Sequence, residues 1–376
     1  MAAFGSMAAM RLCDAMLPAL GRSFEVTTSQ AAATVSAFAI GYGLMQLFAG
    51  ALGDRLGKPR VIAWAALCCG AAGWLASCAP TLALLVVGRV LMGACAAGVI
   101  PLAMAWIGDH VALAQRQVVL ARLLNYTLVG MMTGAWAGGV LADAVGWRGA
   151  FALIGLVLVG AGLGVRRRVG RGRATAAREA EGPHWAIVGT VLGQSDARRL
   201  YAITLAEGAL VFGVLAFVPA MLHDRFALPL SWAGGVLALF GLGGLAYARA
   251  ARWLVPRCGR ALLAVLGGGV MGVAFVGLGL LPWWWAAVPA CLASGFGYYL
   301  LHGTLQTCAT ELSAAARGTA VSLFACALFL GQSAGVAAVA ALQGRGTGLE
   351  VVGPVAGMAL LALGLGFRAC WRREDA

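Results

Sequence analysis

The chain has 376 residues, 61% hydrophobic and only 11% charged, where a soluble domain is about a quarter charged. That excludes a water-soluble protein built round one large core, which would need far more polar surface. The net charge of +13 does not make a nucleic-acid binder: the 27 Lys and Arg lie in small clusters between apolar runs, with no basic stripe beside stacking aromatics.

The apolar runs and the breakers between them predict about twelve helices, most near the roughly 20 residues that cross a bilayer. Their expected extents are 2–20, 31–52, 61–79, 81–107, 118–142, 148–165, 200–222, 231–248, 261–281, 283–306, 319–342 and 351–369. The fold class expected is therefore an all-α integral membrane protein. Its 55 glycines suit close packing between membrane helices. The ten cysteines lie in or beside the apolar runs, apart from Cys258 in a basic turn, and none has metal-type spacing. They read as small apolar filler, and neither a metal nor another cofactor is expected.

In the first span Arg11 and Asp14 stand three residues apart and so share a helix face. Asp14 is a candidate substrate or proton group with Arg11 tuning it; a neutralised structural pair is the alternative. The second span carries Gln46 and runs into GALGDRLGKPRV (50–61). Its tight turn requires Gly57 and tolerates Pro59. Arg55, Lys58 and Arg60 hold the turn on one side of the membrane, but acids contribute little to topology. Asp54 is better explained by a charge or helix-terminus contact with the opposite half of the molecule.

The fourth span buries Arg89, costly there and a functional candidate unless it snorkels to the surface. The fifth carries Asn125 and Tyr126, polar groups able to face a cavity, and Gly130, Gly134 and Gly138, one smooth packing face. Residues 166–199 form the only long polar segment, a basic linker beside anionic lipid. In the seventh span Glu207 has no basic residue within a turn, so its ionised form is costly and it is a candidate proton carrier. The tenth span adds Tyr298, Tyr299, His302 and Gln306 as further cavity candidates.

Twenty-one basic residues fall in alternate connections and the tails, against four (Arg22, Arg148, Arg225 and Arg345) on the other side and two within spans. This asymmetry places both termini and the linker in the cytoplasm. The linker divides the chain into 1–165, 166–199 and 200–376, six spans on either side. An internal repeat agrees: LGDRLGK (52–58) returns as LVPRCGR (254–260), Arg116 matches Arg317, and Gly130 and Gly134 match Gly331 and Gly335. Two pseudo-symmetric six-helix bundles, with a substrate site between them, follow from such a duplication.

The stretch Gly50, Asp54, Arg55, Gly57, Lys58, Arg60 resembles the loop signature of the major facilitator superfamily. Pro59 stands where a basic residue is common, and the second-half copy has Pro256 in place of the acid. LLVVGRVLMGACAAG (84–98) is similar to the fourth-helix pattern, and GMMTGAWAGGVLADAVGWRGAF (130–151) to the fifth-helix signature of the bacterial twelve-helix drug:proton antiporters. Gly134-Ala135 stands where that group has Gly-Pro. The resemblance implies the major facilitator fold, a brace at Asp54 in the outward-facing state, and a link between Arg89 and proton coupling.

The function expected is a secondary transporter, not an enzyme, with proton-coupled efflux of small organic compounds by alternating access. A proton-coupled metabolite importer and a non-transporting membrane receptor are the alternatives. Expected partners are a small-molecule substrate, protons and the lipid bilayer, with no nucleic acid and a monomeric state. The Ala, Gly and Arg bias suggests a GC-rich bacterial genome, and the expected location is the cell inner membrane.

Overall fold

The computed structural model describes residues 1–169, 184–280, 282–313 and 316–371. Among these there is no strand; the chain is a succession of helices. Residues 170–183, within the expected linker, lie outside the described residues.

The first pass across the molecule is broken. It consists of α1 (Ala2–Arg11) and α2 (Leu17–Phe24), separated by turns at Leu12–Met16. Pro18, in the first turn of α2, explains the break: it has no N–H to donate, and its ring collides with the carbonyl four residues back. Then come α3 (Thr28–Ala31) with α4 (Ala33–Leu56), α5 (Lys58–Ser77), α6 (Leu82–Ala96) with α7 (Val99–His110), α8 (Leu113–Ala144) and α9 (Gly146–Val169). The second half opens with α10 (His184–Gly193) and a second broken pass, α11 (Ser195–Leu215) and α12 (Val218–Phe226). That break precedes Pro219, the counterpart of Pro18 in the repeat.

Next, α13 (Leu230–Leu280) has 51 residues, about 77 Å of helix and more than twice an apolar core of about 30 Å. It is two arms folded at Gly259, whose φ of 62° and ψ of 164° are not helical. A 3-10 turn (Trp284–Ala286), α14 (Ala287–Glu311), α15 (Arg317–Gly344) and α16 (Leu349–Trp371) complete the chain. Nine helical runs among the described residues are long and apolar enough to cross a membrane. Counting α13 twice and adding the broken first pass and α14 gives the twelve crossings expected.

The halves repeat in space. In the first, α1 packs on α8, α4 on α6 and α5 on α9; in the second, α11 packs on α15, and α13 on α14 and α16. The register is set by glycine. A Cβ at Gly130 or Gly134 would lie 2.4 Å from Phe4 O or 2.3 Å from Ala8 O, and one at Gly331 or Gly335 2.0 Å from Leu205 O or Ala209 O. All four contacts shift together by the same 201 residues. Gly138 closes on Leu12 O in the same way, so the expected glycine face is a backbone-to-backbone seam. The halves meet where α4 packs on α15 and α8 on α13.

Candidate substrate and coupling site

The seam between the halves is tight at one end and loose at the other. At the end away from the chain termini, Asp143 Oδ2 accepts from Ser231 N at 2.9 Å and Ser36 Oγ donates to Ser333 O at 3.2 Å. There too, Ser29 Oγ lies 3.4 Å from Gln343 Oε1, and a Cβ at Gly139 would strike Leu230 O. At the basic end, among the described residues, the ion pairs of Asp54, Asp109 and Glu311 stay within their own half. Lys58 Nζ bridges Asp54 (3.5 Å) and Asp109 (2.5 Å), and Arg260 pairs with Glu311 (2.6 Å) as its counterpart in the repeat. Gly50 lies two turns beyond Gly43, which touches Phe329 of the other half, yet nothing lies within 4 Å of a Cβ at Gly50. Asn125, two turns from Met132, is exposed. Phe48 still meets Trp185 of α10 there, with ring centroids 5.7 Å apart, but α4 has drawn away from α15.

At the middle of the seam lies the break in the first pass. Arg11 Nη1 donates to Asp14 Oδ2 at 3.2 Å, and both residues are buried. Asp14 Oδ1 is also buried and has no hydrogen-bond partner. Arg89 is fully buried, so it does not snorkel. Its Nη1 donates to Ala9 O at 2.8 Å, its Nη2 to Met10 O at 3.3 Å and its Nε to Thr34 O at 3.1 Å. The break strips the last carbonyls of α1 of their helical partners, and Arg89 supplies the missing donors. Its charge is left without a carboxylate in contact, lying instead over the Phe38 ring at 4.4 Å.

Glu207 is fully buried, as expected, but it is not alone. His302 Nδ1 lies 3.0 Å from its Oε2, although 95 residues separate the two in sequence. A line of rings joins this pair to the break: His302 stacks on Tyr298 (centroids 4.8 Å apart), Tyr298 meets Phe212 at 5.3 Å, and Arg11 lies 4.4 Å over Phe212. Asp14 of one half and Glu207 of the other are thus the ends of one contact chain through Arg11, Phe212, Tyr298 and His302. Only Phe212 in it was no candidate from sequence.

The other expected residues scatter. Gln46 is buried in α4, whereas Asn125, Tyr126 and Gln306 are exposed in the basic-end halves of α8 and α14. Gly57 has the positive φ (90°) its turn demands. Asp54 lies beside Lys58 of its own loop, not against the opposite half. Sequence reasoning passed over Gln332, which is buried in α15 with an unpartnered Oε1. Its signal was an amide beside Ser333, between Gly331 and Gly335 in the apolar middle of the helix.

The chain matches the Major Facilitator Superfamily over residues 1–336. It is 28% identical over 342 residues to the chloramphenicol resistance protein of Streptomyces lividans, covering 89% of this chain and 85% of that protein. To the lincomycin resistance protein of Streptomyces lincolnensis it is 34% identical over 147 residues, 38% of this chain and 30% of that protein. The solved structure of the nucleoside transporter NupG superposes with a TM-score of 0.74 over 98% of this chain and 97% of that one, at 14% identity. This last likeness is one of fold alone.

Proposed function

Since the chain belongs to the Major Facilitator Superfamily, and is a multi-pass membrane transporter and not an enzyme, we propose that it exports small organic compounds in exchange for protons. One observation carries the reading: a seam closed at one end and parted at the other, with a buried carboxylate from each half at its middle. Rocking the halves about that middle exposes the same groups to either side in turn. The basic residues gather at the parted end, which supports a cytoplasmic side for that end, both termini and 166–199 in a bacterial inner membrane. The units are then 1–165 and 200–376, acting as one monomer.

Efflux is favoured by the resistance proteins among the relatives. Glu207 is the proton carrier in this reading, since its ionised form is buried against a single neutral-or-charged partner. Asp54 braces the basic end when that end closes. Gly50 and Asp54 lie seven and eleven residues beyond Gly43, hence on the face that meets α15. The test is flux in proteoliposomes of both orientations, with and without an imposed pH gradient, using chloramphenicol and lincomycin as first probes within a wider screen. Gradient-driven, compound-specific movement is expected; flux that ignores the gradient would remove the proton from the mechanism.

A further inference from the structure

One contact at the sealed end can exist only while a histidine is neutral. Arg22, in the last turn of α2 in the first half, has Nη1 3.3 Å from Nε2 of His223, in the last turn of α12 in the second. The other ring nitrogen is fixed, because Nδ1 lies 2.7 Å from Leu228 O, which can only accept. Nδ1 therefore carries the hydrogen of the neutral ring, and Nε2 offers Arg22 a lone pair. A second proton can enter only at Nε2. It removes the acceptor and sets an imidazolium against a guanidinium across the junction of the halves.

No partner stands ready to neutralise that added charge. Neither Arg22 nor His223 has an ion-pair partner among the described residues. Of the elements packed on α12, α2 brings Arg22 and leads into Glu25, while residues 208–215 of α11 and 230–246 of α13 carry no ionisable side chain. On α12 itself Asp224 and Arg225 offset each other, and Glu25 and Asp224 are exposed, where water and salt screen them. The other hydrogen bonds between the halves at this end use Ser29, Ser36 and Asp143, and of these only Asp143 can titrate. His223 is half-buried beside an exposed Arg22, so a proton from the sealed side reaches the ring while the seal is still shut. We propose that His223 is a second proton site, separate from Glu207, which senses acid on the sealed side and releases that end when protonated. In the exchange reading, on which this rests, protons enter from that side, so the seal opens where a proton is there to be taken up.

The test needs no gradient and no turnover. In purified full-length Ser36→Cys protein, thiol labelling at position 36 is measured by mass spectrometry as a ratio to labelling at Cys78. Cys78 is exposed at the same end, just past α5, so the pH dependence of the reagent cancels. Imidazole changes charge between about pH 5 and 8, and across that range the ratio should rise about fivefold as the pH falls. His223→Gln keeps an acceptor for Arg22 but cannot take the proton, so it should hold the ratio low throughout. Arg22→Gln removes the charge that repels and should also flatten the response. Either variant decides the matter if the other does not fold. Asp143→Asn and Glu207→Gln remove carboxylates at the sealed end and at the middle of the seam, and the step should survive both. A ratio that ignores pH, a step that survives His223→Gln or Arg22→Gln, or one that vanishes with Asp143→Asn or Glu207→Gln would each overturn the proposal. An intact step together with flux that ignores an imposed gradient would instead sink the exchange reading alone.

Discussion

Arg22 and His223 stand 201 residues apart in the chain, and Arg22 Nη1 lies 3.3 Å from His223 Nε2. That separation is the period of the internal repeat, so each residue is the counterpart of the other in the opposite half. Two equivalent positions can touch only where they straddle the pseudo-two-fold axis. Arg11 and Phe212, with the same separation, do so again at mid-depth. The contact at the sealed end must break when the halves rock, whereas the one at mid-depth lies near the pivot.

In the alternating-access reading the end contact is a latch. His223 Nδ1 lies 2.7 Å from Leu228 O, an acceptor only, so Nδ1 carries a proton and Nε2 is left to accept from Arg22. His223→Arg would set two guanidinium groups against each other. Losing this contact, worth about 1 kcal/mol, would shift the balance toward opening at that end by roughly fivefold. Thiol labelling of Ser36→Cys, sealed beneath the latch, measures it; unchanged labelling would mean the latch carries no weight.

The glycine seam gives a sharper contrast. Gly134→Val would drive a side chain into Ala8 O, already 2.3 Å from the Cβ position, and separate α1 from α8. Overpacking of this kind costs about 1–3 kcal/mol or more, since backbone cannot step aside as a side chain does. Gly50→Ala meets nothing within 4 Å. Thermal unfolding in detergent should show a clear loss for the first and almost none for the second; equal midpoints would refute the seam.

How much of this was legible beforehand depends on the range of each interaction. The twelve crossings and the spacing of Gly130, Gly134 and Gly138 could be read because bilayer thickness and helical pitch act within a single run of chain. Arg89 was identified as buried and important, but its partners could not be named. Two of them, Ala9 O and Met10 O, are orphaned only because the first pass breaks ahead of Pro18, and Leu-Pro alone does not say where its carbonyls turn. Glu207 looked solitary because nothing within a turn of it is basic. His302 reaches it from α14, a meeting that only the packing of the second half creates.

Arg89 yields a third expectation. Arg89→Leu should lower the yield of folded protein and its unfolding midpoint, because Ala9 O and Met10 O, outside any helical ladder, lose their donor at about 1–3 kcal/mol for each group left unsatisfied. Arg89→Lys should recover only part, since one ammonium cannot follow the three diverging directions of the fork. A stable, inserted Arg89→Leu that has lost only gradient-driven flux would instead restore the coupling role.

Asp54 should behave in the opposite way. It is half exposed and 3.5 Å from Lys58, a surface pair worth no more than about 1 kcal/mol. Asp54→Asn should therefore leave insertion and unfolding near normal while impairing transport, because the brace is needed only when the basic end closes. Accessibility of a cysteine at Gly50 would reveal a bias toward the parted state. Normal turnover in the variant would reduce the loop to a topological device.

The last expectation separates the two buried carboxylates. Glu207 Oε2 meets His302, while its Oε1 is buried and partnerless, the oxygen on which a proton relieves the most unfavourable burial. Asp14 is held by Arg11, a permanent cation, so its charge serves to position the guanidinium. Glu207→Gln should keep substrate affinity and abolish accumulation driven by a pH gradient. Asp14→Asn should chiefly alter affinity, through the guanidinium it positions. His302 is the control that a purely structural pair would not pass. It is slightly exposed where Glu207 is not, and Gln306, one turn on, opens to the parted end, so in the proton-exchange reading the imidazole is the route to Glu207. His302→Gln should then slow gradient-driven flux with affinity intact, and added imidazole should restore part of it. Both affinity and flux are measured in the same liposomes. If Glu207→Gln still concentrates substrate against its gradient, the proton site lies elsewhere, and Asp14 is the carboxylate that takes its place.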